Sequence, residues 1–513
     1  MRTPCRLCII VFVVLQRAIA AQVLTSQYDN ARTGATLIEA TLTPANVNAR
    51  QFGKLFSWPV DGDVYAQPLF VPALPVGSKG THDVVFIATE HDSVYAFDAA
   101  GLPRERLWQR TLTGRDETTV PAEDARCPFI SPEIGITPTP VIDRATGTLY
   151  VLARTKQRQP AGARFIQRLH ALDVRTGADK FGGPVEISGS VKGAGGAVTF
   201  DPLRELPRAG LLLAGNHVYL TWGSSCDVRP FHGWVMAYDA RTLRQSAIFN
   251  TSPDGDEAGI WQSDMAPAAD EDGHVYVATG NGRFDAASGG RSYGDSLLKL
   301  RVTAGEIVVR DVFTPPNESD LNARDKDLGS GGPILLPEQA GRRLLLIAGK
   351  EGPLHVLDRA HLKGGAVQAL PLAGGAYAAP AYWNGHVFFA ATNDQLQDFA
   401  VTGGKLSVRP ATSGQQRFAN PGAGPVVSAN GTRNAIVWLI ETKVWNDYAS
   451  TRPSVLRAYD AANVAREIYN SEQNSARDRA GVTVRFTIPT IANGRVYIGC
   501  KREVDVYGLL TAR

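Results

Sequence analysis

The segment Tyr95-Ala96-Phe97-Asp98 is one copy of a short pattern that returns along the whole chain: an alternating run that ends in an apolar residue, often followed by Asp. Its average spacing of about 60 residues suits one four-stranded blade with its loops. The other seven copies are Ala171–Asp173, Ala237–Asp239, Leu298–Leu300, Val356–Asp358, Gln397–Phe399, Ala458–Asp460 and Asp505–Gly508.

Two further features precede each copy of this pattern. A dense run of β-branched and aromatic residues, typical of strands, begins at Val84, Leu149, Val218, Val275, Leu344, Val387, Ile436 and Val496. Further upstream a proline opens a short apolar strand, where it loses no ladder hydrogen bond, at Pro68, Pro140, Pro267, Pro333, Pro380, Pro425 and Pro489. In the third unit Pro207 stands apart from the apolar run. Each unit is therefore predicted to contain an innermost, a second, a third and a weaker outer strand.

Eight such units must close into a ring, because a stack of sheets with free ends would expose apolar faces and strand edges. The sequence thus predicts an all-β fold, an eight-bladed β-propeller of four-stranded antiparallel blades, formed by residues 21–513 as a single domain. The last unit lacks an outer strand, whereas Lys54–Val60 forms an unassigned strand before the first unit. We expect this amino-terminal strand to complete the last blade and close the ring.

Residues 1–20 have the features of a secretory signal peptide. Arg2 and Arg6 precede the apolar stretch Leu7–Leu15, and Ala18-Ile19-Ala20 is a small-residue cleavage site. The apolar stretch is too short to span a bilayer, and no later segment is both long and uncharged. The predicted location is therefore secreted or periplasmic, without a membrane span.

Charge argues against nucleic-acid partners. Three of the 53 basic residues lie in the predicted signal peptide, which leaves 50 basic and 50 acidic residues. Binding to nucleic acid or to an anionic membrane surface depends on clustered positive charge. We therefore exclude both partner classes.

Three cysteines remain after the signal peptide, in a compartment predicted to be oxidising. Cys127 and Cys226 lie in loop-like sequence rich in Pro and Asp, whereas Cys500 ends an apolar run typical of a strand. We expect a disulfide bond between Cys127 and Cys226. The alternative is three free buried thiols.

One tract resembles a known repeat family. Ala96, Asp98, Gly101 and Trp108 are similar to the docking motif of the pyrroloquinoline-quinone-type propellers, whose members include quinoprotein alcohol dehydrogenases and noncatalytic outer-membrane assembly lipoproteins. The second unit has a partial copy in which Phe181 replaces the tryptophan. The resemblance covers the whole repeat region and implies the fold, but fold alone does not imply activity.

For a quinoprotein, the resemblance implies a quinone held with calcium over the ring centre. Thr279–Gly282 looks like the tract whose asparagine helps to bind calcium, which makes Asn281 the candidate metal ligand. The candidate catalytic base is Asp327 or Asp320, from an acidic segment similar in placement to that of the family. The sequence departs from the family by lacking adjacent cysteines and the tryptophan beside the base, and Gly193–Ala197 occupies the place of the calcium-binding glutamate. A Cys-x-x-Cys-His haem motif is also absent.

Loops at the mouth of a propeller channel are the default place for a binding site. The loops between second and third strands, together with those that lead into the innermost strands, give eight candidate ligand-binding residues: His232, Trp234, Asp264, Asn281, Lys350, Glu351, Arg485 and Lys501. Solvated loop tips, and a packed loop beside Cys226, are the alternative explanation for these residues. His91 between two acidic residues is interpreted as a structural turn rather than a metal ligand.

Two functions remain from the sequence. The leading hypothesis is an exported noncatalytic propeller that binds a polar small molecule, a carbohydrate or a protein at its mouth, with no cofactor. The alternative is an oxidoreductase that depends on pyrroloquinoline quinone and calcium and acts on alcohols or sugars. A polysaccharide lyase or hydrolase is a third possibility, based on analogy with other propellers.

Overall fold

A computed structural model describes residues 21–101, 106–160, 162–442 and 449–511. The predicted signal peptide, with Cys5 and Cys8, lies outside these residues. The described chain forms eight blades of a propeller, each with four main antiparallel strands, and one separate two-stranded sheet. All eight copies of the repeated pattern lie in third strands, and all eight dense apolar runs lie in second strands, which confirms the predicted blade organisation.

The main strands of each blade follow one another along the chain, from the innermost strand outward. Blade one has Leu69–Pro75, Thr81–Ala88, Ser93–Asp98 and Arg106–Thr111; blade two Val141–Asp143, Thr148–Gln159, Gly162–Asp173 and Val185–Glu186; blade three Leu212–Ala214, His217–Ser224, Trp234–Asp239 and Gln245–Asn250; blade four Ala268–Ala269, Val275–Ala278, Leu297–Thr303 and Glu306–Phe313. Blade five has Ile334–Leu335, Leu344–Ala348, Leu354–Asp358 and Gln368–Leu370; blade six Ala381–Trp383, His386–Phe389, Asp394–Thr402 and Thr412–Phe418; blade seven Val426–Asn430, Arg433–Glu441, Val455–Asp460 and Glu467–Asn470.

The remaining elements are small. Short extra strands are Ala35–Thr36, Glu117–Pro121, Glu133–Ile134, Ser190–Gly193, Gly196–Thr199, Glu205–Leu206 and Lys405–Leu406. The α-helices are Glu318–Ala323 and Ser475–Asp478, and the 3₁₀ turns are Gly77–Lys79, Gln262–Asp264, Ala286–Ser288, Leu328–Ser330 and Leu362–Gly364. None of the described helices has the length and apolar character needed to cross a bilayer.

Blade eight is built from both ends of the chain. Its strands Thr490–Ala492, Arg495–Cys500 and Glu503–Leu509 are completed by Phe52–Pro59, which pairs antiparallel with Glu503–Leu509. This pairing confirms the predicted closure by an amino-terminal strand. Trp58 of that strand is fully buried, and its indole stacks on Phe97 of blade one at 4.7 Å and on Tyr497 of blade eight at 5.9 Å between ring centroids. The seam of the ring is therefore sealed by aromatic packing as well as by strand pairing.

A second amino-terminal element, residues 23–35, follows the innermost strands around the ring. Its backbone or side chains are hydrogen-bonded to the innermost strand of every blade, at Phe70, Ile142, Leu213, Ala269, Leu335, Tyr382, Val427 and Ile491. The fully buried Arg32 fixes the centre of this element by donating to the carbonyl oxygens of Pro267 and Ser26, at 2.8 Å each. We call residues 23–35 the axial segment.

The seam predicts a large effect of mutations in the amino-terminal strand. Trp58→Ala removes a fully buried indole and is expected to lower the free energy of unfolding by about 3 to 5 kcal/mol.

Removal of residues 21–60 deletes both this strand and the axial segment. It should therefore abolish the cooperative melting transition followed by circular dichroism. The matched control is Leu37→Ala, because Leu37 is half exposed and should cost less than about 0.5 kcal/mol. An unchanged melting temperature for the truncated protein would contradict this role of the amino-terminal region.

Candidate functional site

A cavity of about 310 Å³ lies among the mouth loops and has the size of a small-molecule site. Its walls come from loops that lead into the innermost strands of blades two to six and eight, and from the loops between second and third strands of blades three and five. The lining residues used below are Cys127, Phe129, Arg208, Cys226, Asp227, Trp261, Asp325, Asp327, Lys350, Tyr377, Arg485 and Phe486. The cavity thus combines four aromatic rings with charged groups of both signs.

Three glycines fix the indole of Trp261 against one wall of this cavity. A Cβ atom at Gly223, Gly259 or Gly280 would lie only 2.6 to 2.8 Å from atoms of the indole ring. Trp261 Nε1 also donates to the carbonyl oxygen of Ser224 at 3.2 Å. Because only glycine leaves room for this close approach, the ring lies directly on backbone and stays partly exposed to the cavity. The indole is therefore held in place as an aromatic part of the cavity wall.

A strap of chain, residues 122–132, covers part of the cavity. It connects the short strands Glu117–Pro121 and Glu133–Ile134, the first of which pairs with the long second strand of blade two. Cys127 in the strap forms a disulfide bond with Cys226 in the mouth loop of blade three, which matches the predicted pairing. The carbonyl oxygen of Phe129 accepts a hydrogen bond of 2.6 Å from Arg485. The strap is therefore tied to blade three covalently and to blade eight by a charged group.

A lysine lies between two carboxylates on the wall formed by blades four and five. Lys350 Nζ lies 2.6 Å from Asp325 Oδ1 and also contacts Asp327 Oδ2. Asn281 joins the same cluster, because its backbone N–H donates to Asp327 Oδ1 at 2.7 Å and its Nδ2 donates to Asp325 Oδ1 at 2.8 Å. Burial opposes the charge on Lys350, but the two carboxylates outweigh burial and raise its pKa. Lys350 is therefore a firmly charged cation in this cluster.

The same cluster can be tested as a site for calcium. The donors have suitable chemistry, since Ca²⁺ prefers carboxylate and amide oxygens, and Asn281 Oδ1 is buried without a hydrogen-bond partner. However, Lys350 already contacts both carboxylates. In the described part of the chain, the only three acidic or His side chains with ligand atoms within 4.8 Å of one another are Asp270, Asp272 and His274, in a hairpin of blade four. The cavity residues therefore do not fit a metal ion in this arrangement.

Two buried arginines occupy another part of the wall. Arg208 precedes the innermost strand of blade three, and Arg485 precedes that of blade eight. Arg208 Nε lies 3.0 Å from Asp264 Oδ1. Burial raises the pKa of Asp264 to about 7, although Arg208 and Arg485 both act to lower it. This part of the cavity is therefore more positive than the wall around Asp327.

The structure places the sequence-predicted site residues in three groups. Asp327, Lys350, Arg485 and both disulfide cysteines line the cavity. Asn281 and Asp264 lie directly behind the lining, through hydrogen bonds to Asp327 and an ion pair with Arg208 respectively.

The remaining predicted residues lie away from the cavity lining. Trp234 is fully buried in blade three, and His232 is packed beside it, with Nδ1 3.1 Å from Ser252 Oγ. Glu351 is exposed and accepts a hydrogen bond from Asn317. Asp320 is exposed and paired with Arg324. Lys501 does not contribute to the lining either. Asp327 is therefore the one of the two candidate bases that reaches the cavity.

Sequence reasoning missed Trp261, Arg208, Phe129, Tyr377 and Phe486 as cavity residues. All five lie in loops that lead into innermost strands, which was the region predicted to form the mouth. For Trp261 the sequence offered one indication that it belongs to the mouth. It lies in the same loop as the candidate Asp264, two residues after Gly259 and three residues before Asp264.

Comparison with known proteins identifies the fold. No family model and no curated protein matches the sequence. Among solved structures, a quinohemoprotein alcohol dehydrogenase from Comamonas testosteroni is similar at a TM-score of 0.61 and 16% identity, covering 96% of this chain and 81% of that one. A quinohemoprotein alcohol dehydrogenase from Pseudomonas putida HK5 gives 0.60 at 14% identity, covering 96% and 81%. A europium-containing methanol dehydrogenase gives 0.61 at 14% identity, covering 95% and 98%. The chain therefore has the fold of the quinoprotein-type propellers, as the repeats predicted.

The disulfide predicts a measurable loss of stability. Cys127 and Cys226 are 99 residues apart, and closing so long a loop stabilises a fold by about 4 kcal/mol in the chain-entropy model. The double variant Cys127→Ser with Cys226→Ser should lose this amount in denaturant unfolding. A reducing agent should destabilise the unmodified protein and leave the double variant unchanged. Recovery of both cysteines as free thiols in non-reducing peptide mapping would contradict the bond.

Proposed function

We propose that this protein is an exported propeller that binds a small planar quinone of the pyrroloquinoline quinone class in its mouth cavity. The observation that carries the proposal is the indole of Trp261, which is packed closely against Gly223, Gly259 and Gly280 and lines the cavity. Aromatic rings gain about 0.5 to 1.5 kcal/mol from stacking beyond the area they bury. Such an aromatic surface suits a flat conjugated ligand.

The chemistry of the other walls supports the same ligand class. A quinone of this class is planar and carries carboxylate groups, and the cavity wall contains the cations Arg208 and Arg485. Its volume of about 310 Å³ is at the lower end of the range for small-molecule pockets. The structural neighbours named as quinohemoproteins support a quinone as the first ligand to test.

Quinone binding is testable with the purified protein. Titration with pyrroloquinoline quinone, followed by tryptophan fluorescence and calorimetry, should show saturable binding near one ligand per chain. Trp261→Ala should weaken binding by about 3- to 10-fold, the loss expected for one stacked ring, whereas Trp108→Phe on the outer strand of blade one should not. Absence of saturable binding by the unmodified protein would refute the proposal.

A glycine pair gives a sharper test of the position of the ligand. At Gly280 a Cβ atom would lie 2.6 Å from the Trp261 ring and 2.2 Å from Asp327 Oδ1. Gly280→Ala should therefore displace the indole and reduce quinone affinity by at least about 10-fold, because stacking and the neighbouring carboxylate are disturbed together. Gly195→Ala is the matched control, since a Cβ atom there meets nothing within 4 Å. Equal affinities of the two variants would place the quinone elsewhere.

Oxidation of a hydroxyl compound is the second candidate function, favoured by the cluster of Asp327 and Lys350 on the cavity wall. A bound quinone would supply the electron acceptor. Asp327 would accept the proton of a substrate hydroxyl group as a general base. Lys350 and Asn281 would hold the carboxylate of Asp327 in place. No metal ion is used in this scheme, because the residues do not fit one.

The catalytic candidate predicts different effects for two aspartates. With quinone bound and a dye as final acceptor, Asp327→Asn should lower kcat by about 10²- to 10⁴-fold, the usual contribution of a general base. Asp320→Asn should match the unmodified protein, because Asp320 is exposed and paired with Arg324. A chelator such as EDTA should leave both quinone binding and turnover unchanged. If the quinone binds but a panel of alcohols, sugars and hydroxy acids gives no turnover, the noncatalytic function stands alone.

A further inference from the structure

Arg208 and Arg485 flank one aromatic ring of the cavity. Their guanidinium carbons lie 5.0 and 5.8 Å from the ring centroid of Phe486. Arg208 is also packed on the ring of Tyr65, at 5.2 Å. Both arginines line the cavity while remaining about nine-tenths buried. Aromatic packing therefore fixes the plane of the Arg208 guanidinium at the wall.

The hydrogen-bonding capacity of Arg208 is largely unused. A guanidinium group has five N–H donors. Among the described residues, the polar contact of the Arg208 side chain is its ion pair with Asp264, and neither carboxylate oxygen of Asp264 has a hydrogen-bond partner although both are buried. A charged group of this kind is costly to bury without partners. The remaining donors are thus available to a group inside the cavity.

The carboxyl groups near Arg208 do not fully neutralise it. Asp264 faces Arg208, Arg485 and Glu90. Burial raises the pKa of Glu90 to about 8, although the carboxyl group accepts a hydrogen bond of 2.8 Å from the N–H of Gly135. With a pKa of about 7 for Asp264 as well, both groups are partly protonated at neutral pH. The cationic side chains Arg208 and Arg485 therefore make this corner of the cavity favourable for an anion.

We infer that Arg208, with Arg485 beside it, binds the carboxylate group of a small-molecule ligand. This inference rests on the proposed function, since it assumes that the mouth cavity is the ligand site. The planar fork of an arginine matches a carboxylate with two parallel hydrogen bonds. The carboxylate belongs either to the quinone itself or to a second ligand. If it belongs to a second ligand, the substrates are small hydroxy acids rather than the neutral alcohols named for the structural neighbours.

A matched pair of probes separates a carboxylate from a hydroxyl group. Lactate and 1,2-propanediol share a three-carbon skeleton and differ in one carboxylate. Calorimetry with the quinone-free and the quinone-loaded protein should show that lactate binds at least about 10-fold more tightly than the diol, since a hydrogen bond to a charged group is stronger than one between neutral groups. Equal affinities for lactate and the diol would show that the carboxylate bound by Arg208 does not come from a second ligand of this kind.

Variants of Arg208 test the residue itself. Arg208→Gln should abolish the preference for the acid, and Arg208→Lys should restore part of it, because a lysine keeps the charge but not the fork. Arg229→Gln is the control, as Arg229 is largely exposed and paired with Glu257. If the glutamine variant does not fold, as judged by circular dichroism, the lysine variant carries the same comparison.

The protonation of Asp264 adds an independent readout. Loss of its proton as the pH rises from 6 to 8 places a negative charge against Arg208, which then competes with the carboxylate of the ligand. Affinity for the acid should therefore fall over this range in the unmodified protein and fall less in Asp264→Asn. A merely structural role of Arg208 would not produce this difference.

The outcomes separate the inference from the function on which it rests. Lactate binding that depends on Arg208 supports a second ligand. Arg208-dependent quinone binding without lactate binding supports the quinone as the source of the carboxylate. If the quinone binds, but the affinities for the quinone and for lactate are unchanged in the Arg208 variants, the inference is overturned and the proposed function stands. If quinone fails to bind while lactate binds through Arg208, the carboxylate subsite stands and the quinone proposal falls.

Discussion

The hydrogen bonds between the axial segment and the eight innermost strands are the constraint on which the rest of the structure depends. Each blade contacts mainly its two neighbours, so a ring of blades gains stability from an element that is bonded to all of them. Residues 23–35 supply that element, because they are bonded to one strand in every blade. Arg32 holds its centre through backbone carbonyl oxygens. The mouth loops can therefore differ in length and sequence while the strands that carry them keep a common position.

The cavity shows what this fixed frame permits. Trp261 lies on three glycines from three separate segments, which requires their backbones to be positioned to within a fraction of an ångström. The balance of charge differs between the walls, with two arginines beside Asp264 on one and two aspartates around Lys350 on the other. In a low-dielectric site this difference in charge orients any ligand with unlike ends.

The strands and blades could be predicted from the sequence because their signal is repeated and local. Alternation and β-branched runs mark the same strand position eight times, and Lys54–Val60 was recognisable as the one strand without a blade. The axial segment could not be predicted, since most of its bonds are made by backbone groups that leave no trace in side-chain identity. The disulfide was predictable because only two of the three remaining cysteines lie in loop-like sequence.

The candidate site was predictable in location but less so in composition. Lys350 and Arg485 were identified from their positions after and before a strand, and Asp327 from the resemblance of its acidic segment to that of the quinoproteins; all three line the cavity. Asp320 and Asp327 could not be told apart from the sequence. The structure distinguishes them because Asp320 lies in the short helix Glu318–Ala323, exposed and paired with Arg324, whereas Asp327 follows the helix and lines the cavity. Trp261 and Arg208 were missed because the direction of a side chain in an irregular loop depends on contacts with distant segments.

The pairing of Phe52–Pro59 with Glu503–Leu509 also determines the order of events during biosynthesis. The strand Phe52–Pro59 leaves the ribosome long before its partner, so the ring cannot be completed until Glu503–Leu509 has been synthesised. Contacts of such large sequence separation form slowly. Until then the nascent protein carries two open sheet edges, and such edges favour aggregation. A chaperone that protects these edges would therefore raise the yield of native protein without changing the free energy of unfolding of the finished fold.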